Sequence, residues 1–435
     1  GFLWSAIMAI FFWAGSWSRS GGTGATCRRI RKAVIAAGLL AGAAVHAAPV
    51  TFEQALLLAE QRSAALTARQ AAAEGAQQAR TAAGRLPDPK LAVGIENFPI
   101  SGRERFSWNR ESMTMRRVGV MQDVPNAAKR AAQRDAADAK AEREHAMLEA
   151  ERLAVRREAA LAWLALHFAE QKLNVFATLE QENRLLQDTL SARVASGAAT
   201  PGDALMVRQE ALELADRRDE LQAGVEQARV QLRRWTGDQP ELSAEAEPPP
   251  LRPDLARLLG GLDRHAELLA FNPMLAMARA DLSEAEAMRQ GDWGWEVAYG
   301  NRARSFGDMV SFQLTFELPV SRATRQEPVV ASRRKDVERL EAEREDALRR
   351  IRAEVDTQVA ELQRLERVLQ RQLTATQPLA RERAQVTLAS YQSGRADLGA
   401  VLTARKSAAE AQLRGLDLQA QVLAQQARLA YLIAE

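Results

Sequence analysis

The sequence predicts a mostly α-helical chain with four β-strands, built from two copies of one structural unit. Two short segments of alternating polarity, 118–125 and 312–319, end in prolines that lie 194 residues apart. Two glycine turns, at Gly197 and Gly394, lie 197 residues apart. In each copy, about 70 residues of helical sequence separate the strand from the turn, and a repeat of this kind fixes the architecture.

The composition of the 435-residue chain favours long helices over a compact mixed core. Aromatic residues make up only 5% of it, and Ala, Arg, Glu, Gln and Leu dominate, as in coiled coils. The many arginines alternate with Asp and Glu along predicted helical faces, a pattern typical of solvated surfaces. Nucleic acid is therefore not a predicted partner.

The first 47 residues have the pattern of an export signal. Basic residues at 28–32 precede an apolar segment of 13 residues at 33–45, and Val45-His46-Ala47 is a small-x-small cleavage site. We expect residues 1–47 to be removed, so that the mature chain begins at Ala48.

The mature chain is predicted to begin with a helix followed by two strands. Thr51 and Gln54 form a capping box that opens a helix from about 52 to 85, and Pro87 prevents its continuation. Strands are expected at 91–96 and from about 112 to 124 because apolar and polar residues alternate there.

The second pair of strands, 293–300 and 310–318, has a cleaner alternation. Strands of this length can cross an outer membrane when tilted, and aromatic residues near strand ends are typical of the membrane interface. The alternative is a small soluble sheet that packs on helices. The residues predicted to face lipid are Trp293, Trp295, Val297, Tyr299, Val310, Phe312, Leu314 and Phe316.

Long helices are predicted at 127–195 and 324–392. In the second one, apolar residues from Leu348 to Leu373 recur at spacings of three and four, which indicates a coiled-coil seam. About 70 helical residues would span roughly 105 Å, enough to bridge a periplasm rather than to fill a globular core. Each helix ends at a glycine C-cap, and helices at about 201–235 and 398–434 fold back.

These elements divide the mature chain into a first repeat, 48–240, a linker, 241–262, and a second repeat, 263–435. Pro248-Pro249-Pro250 marks the linker. Four strands cannot close a barrel, and open strand edges are not tolerated in lipid. A trimer would supply twelve strands, an even number within the usual range for bacterial barrels.

Short motifs in a fixed order resemble the outer-membrane efflux protein family typified by TolC. They are Phe52-Glu53-Gln54-Ala55-Leu56, Leu86-Pro87-Asp88-Pro89-Lys90-Leu91, Asn272-Pro273-Met274-Leu275 and the two Ser-Gly turns. The resemblance implies a homotrimeric duct in the bacterial outer membrane that extends into the periplasm. It also implies a periplasmic adaptor, the membrane fusion protein, and an inner-membrane RND pump as partners.

Two further segments, 95–99 and 124–130, resemble the heavy-metal resistance branch with its CzcC-like and CusC-like components. Met113 and Met115 would place two thioethers on one strand face, and thioethers suit Cu(I) and Ag(I). The alternative is that both are apolar filler facing lipid. Multidrug efflux and type I secretion remain alternative functions, as does a periplasmic coiled-coil scaffold without a channel.

In the resembling family, the helix-turn-helix tips contact the adaptor and constrict the channel. Asp203 and Tyr391 match gate positions, whereas Arg395 lies one residue early and Ala396 occupies the matching place. The alternatives are plain helix capping and, for Asp203, a charge stabilised by the helix dipole. The resemblance places the tips at Ser196, Gly197, Thr200, Ser393, Gly394 and Leu398.

No nucleophile motif, glycine-rich phosphate loop or metal-ligand spacing occurs in the sequence. We therefore predict no enzymatic activity and no cofactor.

Overall fold

The computed structural model describes residues 49–197, 199–238, 243–244 and 246–433. The predicted signal peptide lies outside the described residues. The order of elements is helix, strand, strand, long helix, helix, and it occurs twice. The first half contains α1 (Phe52–Arg62), α2 (Ala64–Arg80), β1 (Lys90–Glu96), β2 (Met115–Val124), α3 (Ala127–Ala195) and α4 (Pro201–Thr236). The second half contains α5 (Leu255–Gly260), α6 (Phe271–Ala287), β3 (Trp293–Asn301), β4 (Met309–Phe316), α7 (Gln326–Arg371), α8 (Gln377–Gln392) and α9 (Leu398–Ala430).

The first helical region is two helices, not the single helix predicted from 52 to 85. Ser63 has extended backbone angles, and its hydroxyl accepts a hydrogen bond from the Leu66 N–H at 3.2 Å. A serine side chain that caps a new helix in this way competes with continuation of the preceding one. The capping box of Thr51 and Gln54 is present as predicted.

The four strands form one antiparallel sheet in the order β1-β2-β3-β4. The central pairing joins the two halves of the chain, with Val118 opposite Tyr299 and Val120 opposite Val297. The predicted bounds of two strands were too wide, because β2 begins at Met115 rather than 112 and β4 ends at Phe316 rather than 318. β1 and β4 form the edges of the sheet.

The second long helical region is continuous from Gln326 to Gln392 but contains a π-helical segment, Gln372–Thr376. Pro378 follows this segment, and a proline has no N–H to bond the carbonyl four residues earlier and crowds it. Local widening of the helix accommodates that loss. The buried Gln372 then donates a hydrogen bond to the Ala411 carbonyl of α9 at 2.8 Å.

The predicted coiled-coil seam of α7 is confirmed. Ile351, Val355 and Leu362 are buried and belong to one cluster with residues of α9. Leu258 of α5 joins the same cluster. The C-terminal part of the predicted linker is therefore a packed helix, which the proline-rich sequence before it did not indicate.

A second core surrounds Trp163 of α3, which is fully buried. Its indole N–H donates to the Val50 carbonyl at 2.8 Å, and its ring meets Phe52 edge-on and stacks on His167. The His167 ring in turn bonds the Ala244 carbonyl at 2.7 Å. The N-terminal segment and the segment between the two halves are thereby both fastened to α3.

Within the described residues, none of the helices is both long enough and apolar enough to cross a membrane.

Candidate functional site

One face of the sheet is apolar and is covered by no other part of the described chain. The strand register aligns its side chains in rows across the sheet, for example Val120 with Val297 and Phe312. Phe312 is 65% exposed and Val310 is 73% exposed. All eight residues predicted to face lipid lie on this face, and β1 and β2 extend it with Leu91, Val93, Ile95, Val118 and Val120.

The opposite face of the sheet carries small and charged side chains. Arg117 of β2 bonds Glu96 of β1 and Glu296 of β3, and the second contact is 2.7 Å long. Gly119 lies beside this cluster, where an added Cβ would come within 2.9 Å of the Glu296 carboxylate. One arginine therefore links three strands on the face opposite the apolar one.

The predicted methionine pair does not share a strand face, so that prediction is wrong. Met113 lies in the turn before β2 and is exposed, while Met115 is the first residue of β2. The hydroxyl of the buried Thr114 between them donates to the Asn97 carbonyl at 3.0 Å and ends the turn. Met115 instead places its sulfur over Gly300, where a Cβ would lie 2.8 Å from it.

Among the described residues, no group of three or more His, Cys, Asp and Glu side chains is placed to hold a metal ion.

The first tip connects α3 to α4. Gly197 has φ +75°, a left-handed conformation that glycine adopts without strain. Ser196 caps the end of α3. Thr200 and Asp203 then form a capping box at the start of α4, in which the Asp203 carboxylate accepts from the Thr200 N–H at 2.9 Å.

The second tip connects α8 to α9 with the same geometry. Gly394 has φ +72°, Ser393 caps α8, and Asp397 accepts from the Ala400 N–H at 2.6 Å to open α9. Leu398 is buried, and it packs with Leu190 of α3 and Val207 of α4. The two tips are thus held together by one small apolar cluster.

The gate candidates have separate partners within one chain. Asp203 bonds Thr200, and in the described part of the chain it makes no hydrogen bond with Tyr391 or Arg395. The Tyr391 ring instead lies 5.1 Å from the guanidinium of Arg193. Arg193 was not among the sequence candidates, because only the folded tips bring α3 and α8 together. A gate made by Asp203, Tyr391 and Arg395 stays a prediction.

A polar junction where the helices meet the sheet was also missed by the sequence analysis. The Asn126 N–H donates to the Asp292 carboxylate at 2.9 Å, and the Lys129 ammonium bonds its other oxygen at 2.9 Å. The Asn126 amide also donates to the carbonyls of Ala287 and Gln290. The start of α3 is thereby fixed to the end of α6.

Burial by itself would raise the pKa of the Asp292 carboxyl. The hydrogen bonds from Asn126 and Lys129 outweigh burial and hold this pKa below its ordinary value. A carboxyl with a lowered pKa stabilises the folded state above the ordinary aspartate pKa of about 4, and that contribution is lost as the pH falls through the lower folded-state value.

We expect Asp292→Ala to lower the stability of the protein by about 1–3 kcal/mol at neutral pH, because the Asn126 N–H and Lys129 lose their acceptor. The difference from wild type should shrink as the pH falls below about 4. Heat-unfolding midpoints of the wild-type and variant proteins across this pH range measure the difference. Asp123→Ala is the matched control, since Asp123 forms only an exposed ion pair with Lys90. Equal losses of stability in Asp292→Ala and Asp123→Ala would contradict a stabilising role for the polar junction.

No protein-family model and no curated protein sequence matches this chain. Solved structures do match its fold. One match is the crystal structure of CusC, a study of conformational changes that accompany folding and transmembrane channel formation. Its TM-score is 0.73 at 13% identity, and the match covers 88% of this chain and 92% of the CusC chain. The outer membrane protein VceC of Vibrio cholerae gives 0.69 at 20% identity, covering 87% of this chain and 94% of its own.

The MtrE outer membrane channel of Neisseria gonorrhoeae, in its open state, gives a TM-score of 0.69 at 15% identity and covers 87% of this chain and 88% of its own. The chain therefore has the fold of these outer-membrane channel structures, which is the TolC-like fold that its sequence motifs indicated.

Proposed function

We propose that this protein is the outer-membrane exit duct of a tripartite RND-type efflux system. The observation that carries the proposal is the sheet with one uncovered apolar face and one small, charged face. A soluble scaffold would leave the apolar face in water, whereas lipid on one side and an aqueous passage on the other satisfy both faces. The structural likeness to outer-membrane channels supports the same assignment.

Closure of the sheet requires further copies of the chain. β1 and β4 are edges with unpaired backbone groups, and such groups are not tolerated in lipid. Three copies would pair β4 of one chain with β1 of the next and give a twelve-stranded barrel. The helices α3, α4, α7, α8 and α9 would then continue the passage through the periplasm.

The far ends of these helices are proposed to meet the partners. The tips present Ser196, Gly197, Thr200, Ser393 and Gly394 at the end of the helices, and Leu398 is buried beneath them. A periplasmic adaptor would bind these tips and connect the duct to the inner-membrane pump. This role rests on the family resemblance, and the shared apolar cluster supports it by making both tips one surface.

Heavy-metal cations are the proposed cargo. The sequence resemblance of residues 95–99 and 124–130 to the heavy-metal branch supports this choice. The thioether argument no longer contributes to it, since Met113 and Met115 do not share a face. A duct need not bind its cargo tightly, so metal export does not require a ligand cluster. Drugs and secreted polypeptides are the alternative cargoes.

The growth of a deletion strain tests this function. We expect increased sensitivity to one or two of copper, silver, zinc, cadmium and cobalt, with normal tolerance of a panel of drugs and detergents. Wild-type protein supplied in trans should restore growth. Broad drug sensitivity with normal metal tolerance would assign the protein to multidrug efflux. Unchanged growth under all conditions would contradict the efflux proposal.

A further inference from the structure

The sheet has two ends, and the end away from the helices carries unpaired arginines. The loop between β1 and β2, residues 97–114, contains Arg103, Arg105 and Arg110, and the loop between β3 and β4, residues 302–308, contains Arg304. Arg116 is the second residue of β2 at the same end. None of these five side chains forms an ion pair with any residue that the structure describes.

Two acidic residues of the same loops accept hydrogen bonds from groups close to them. The Asp308 carboxylate accepts hydrogen bonds from Tyr299 and Asn301, the second at 2.9 Å. Glu111 accepts from the Ser112 hydroxyl and the Met113 N–H. Counting Arg116 with the two loops, six arginines stand against two glutamates and one aspartate, a net charge of +3 for each chain. This end of the sheet therefore presents free positive charge.

The other end of the sheet has both paired and unpaired basic residues, since Arg322 and Arg325 form no ion pair with any described residue. Lys90 is paired with Asp123 and Lys129 with Asp292. Arg289 is paired with Glu327. An external anion is the partner that would complement the unpaired arginines of the loop end.

Large apolar side chains lie among these arginines. Ile100, Phe106 and Trp108 are all exposed. The loop that carries them is ordered by its own hydrogen bonds, because the Phe106 N–H donates to the Pro99 carbonyl at 2.8 Å and the Arg110 N–H to the Ser107 hydroxyl at 3.1 Å. A structured surface with exposed aromatic and basic groups side by side is typical of contact with the headgroup layer of a membrane.

The strand register gives the height of this surface. On the apolar face, Val118 pairs with Tyr299, and the next row toward the loops pairs Arg116 with Ile95 and Asn301. Trp293 and Tyr299 are six positions apart, which is about 20 Å of strand. The apolar rows therefore end at Arg116. The apolar band of an outer-membrane barrel is about 25 Å tall, so lipid headgroups would begin at this row. The Arg116 guanidinium lies 5.8 Å from the Trp108 ring centre.

We propose that residues 97–114, together with Arg116 and Arg304, form a binding site for the phosphorylated headgroups of membrane lipids. Arginine binds phosphate oxygens with two parallel N–H groups, and the exposed Trp108, Phe106 and Ile100 contact the same headgroup layer. The site rests on the proposed function, since it requires the apolar face to lie in a bilayer. Arg116, which shares the apolar face of the sheet with Ile95, places the site beside the lipid.

Purified trimer reconstituted into vesicles tests the proposal. One set of vesicles contains phosphatidylcholine alone, and the other contains phosphatidylcholine mixed with phosphatidic acid, whose headgroup is a phosphomonoester. Native mass spectrometry after extraction measures the phosphatidic acid retained by each trimer. One variant replaces Arg103, Arg105, Arg110 and Arg116 by Gln, and its matched control replaces the same four residues by Lys.

We expect wild type to retain phosphatidic acid and the Gln variant to retain it about tenfold less or lower still. The Lys variant should keep most of the retention, because the charge is preserved. Equal retention by the wild-type and Gln forms would overturn the proposal, as would displacement of the lipid by an equal concentration of inorganic phosphate.

Insertion into phosphatidylcholine alone separates this proposal from the proposed function. All three forms are expected to insert as trimers there, because the apolar side chains that face the lipid core are unchanged. Normal insertion without a preference for phosphatidic acid would reject only the headgroup site. Failure of the wild-type protein to insert into either vesicle would reject the membrane duct itself.

Discussion

Phe312→Arg is expected to abolish assembly of the protein in the outer membrane. Phe312 is 65% exposed and pairs with Val297 in the middle row of the apolar face. An arginine at the bilayer midplane of a barrel costs about 2–4 kcal/mol, and in a trimer the substitution occurs three times. The amount of trimer recovered from outer-membrane fractions measures the effect.

Two further variants make this test specific. Gln313→Arg places the same charge on the opposite face, beside Glu296, with which Gln313 pairs in the register. We expect near-normal assembly for this control. Phe316 pairs with Trp293 at the end of the sheet, so Phe316→Arg should cost only about 0–1 kcal/mol. Similar recovery of the Phe312→Arg and Gln313→Arg variants would favour the soluble scaffold.

Trp163→Ala should lower the free energy of unfolding by about 3–5 kcal/mol, the usual cost of removing a large buried aromatic side chain. The substitution opens a cavity beside Phe52 and His167 and leaves the Val50 carbonyl without its donor. Urea unfolding followed by near-ultraviolet circular dichroism measures the loss. Limited proteolysis should also show faster cleavage near α1.

The matched control is Trp108→Ala, because Trp108 is 48% exposed in the loop between β1 and β2. Its removal should change the stability by less than about 1 kcal/mol. Trp163→Phe keeps an aromatic ring but loses the indole N–H. We expect its loss of stability to lie between those of Trp163→Ala and Trp108→Ala. If Trp163→Ala and Trp108→Ala had the same stability, the core around Trp163 would not fasten the N-terminal segment as argued.

The sequence was sufficient for elements whose signal is local and periodic. The alternation at 310–316 predicted which residues of β4 share a face, since side chains of a strand point to opposite sides in turn. The spacing of Ile351, Val355 and Leu362 predicted the seam of α7 for the corresponding helical reason. Gly197 and Gly394 were predicted as helix ends, and both have the positive φ that such ends require.

The sequence alone did not predict those helix and strand boundaries that depend on a single hydrogen bond. The break at Ser63 depends on whether its hydroxyl caps the next helix or stays in solvent, and serine is compatible with both. The prediction that Met113 and Met115 share a strand face was wrong for a similar reason. Asn97 and Thr114 close the turn by a contact across 17 residues, so β2 begins only at Met115.

The sequence by itself determined the order of the main helices and strands, the two faces of the strands and the tip turns, because each follows from residues within a few positions of one another. Only the tertiary structure decided which distant residues meet. Asn126 and Asp292 are 166 positions apart, and His167 and Ala244 are 77 apart. Such pairs leave no periodic pattern in the chain, since their geometry depends on how the helices and the sheet pack.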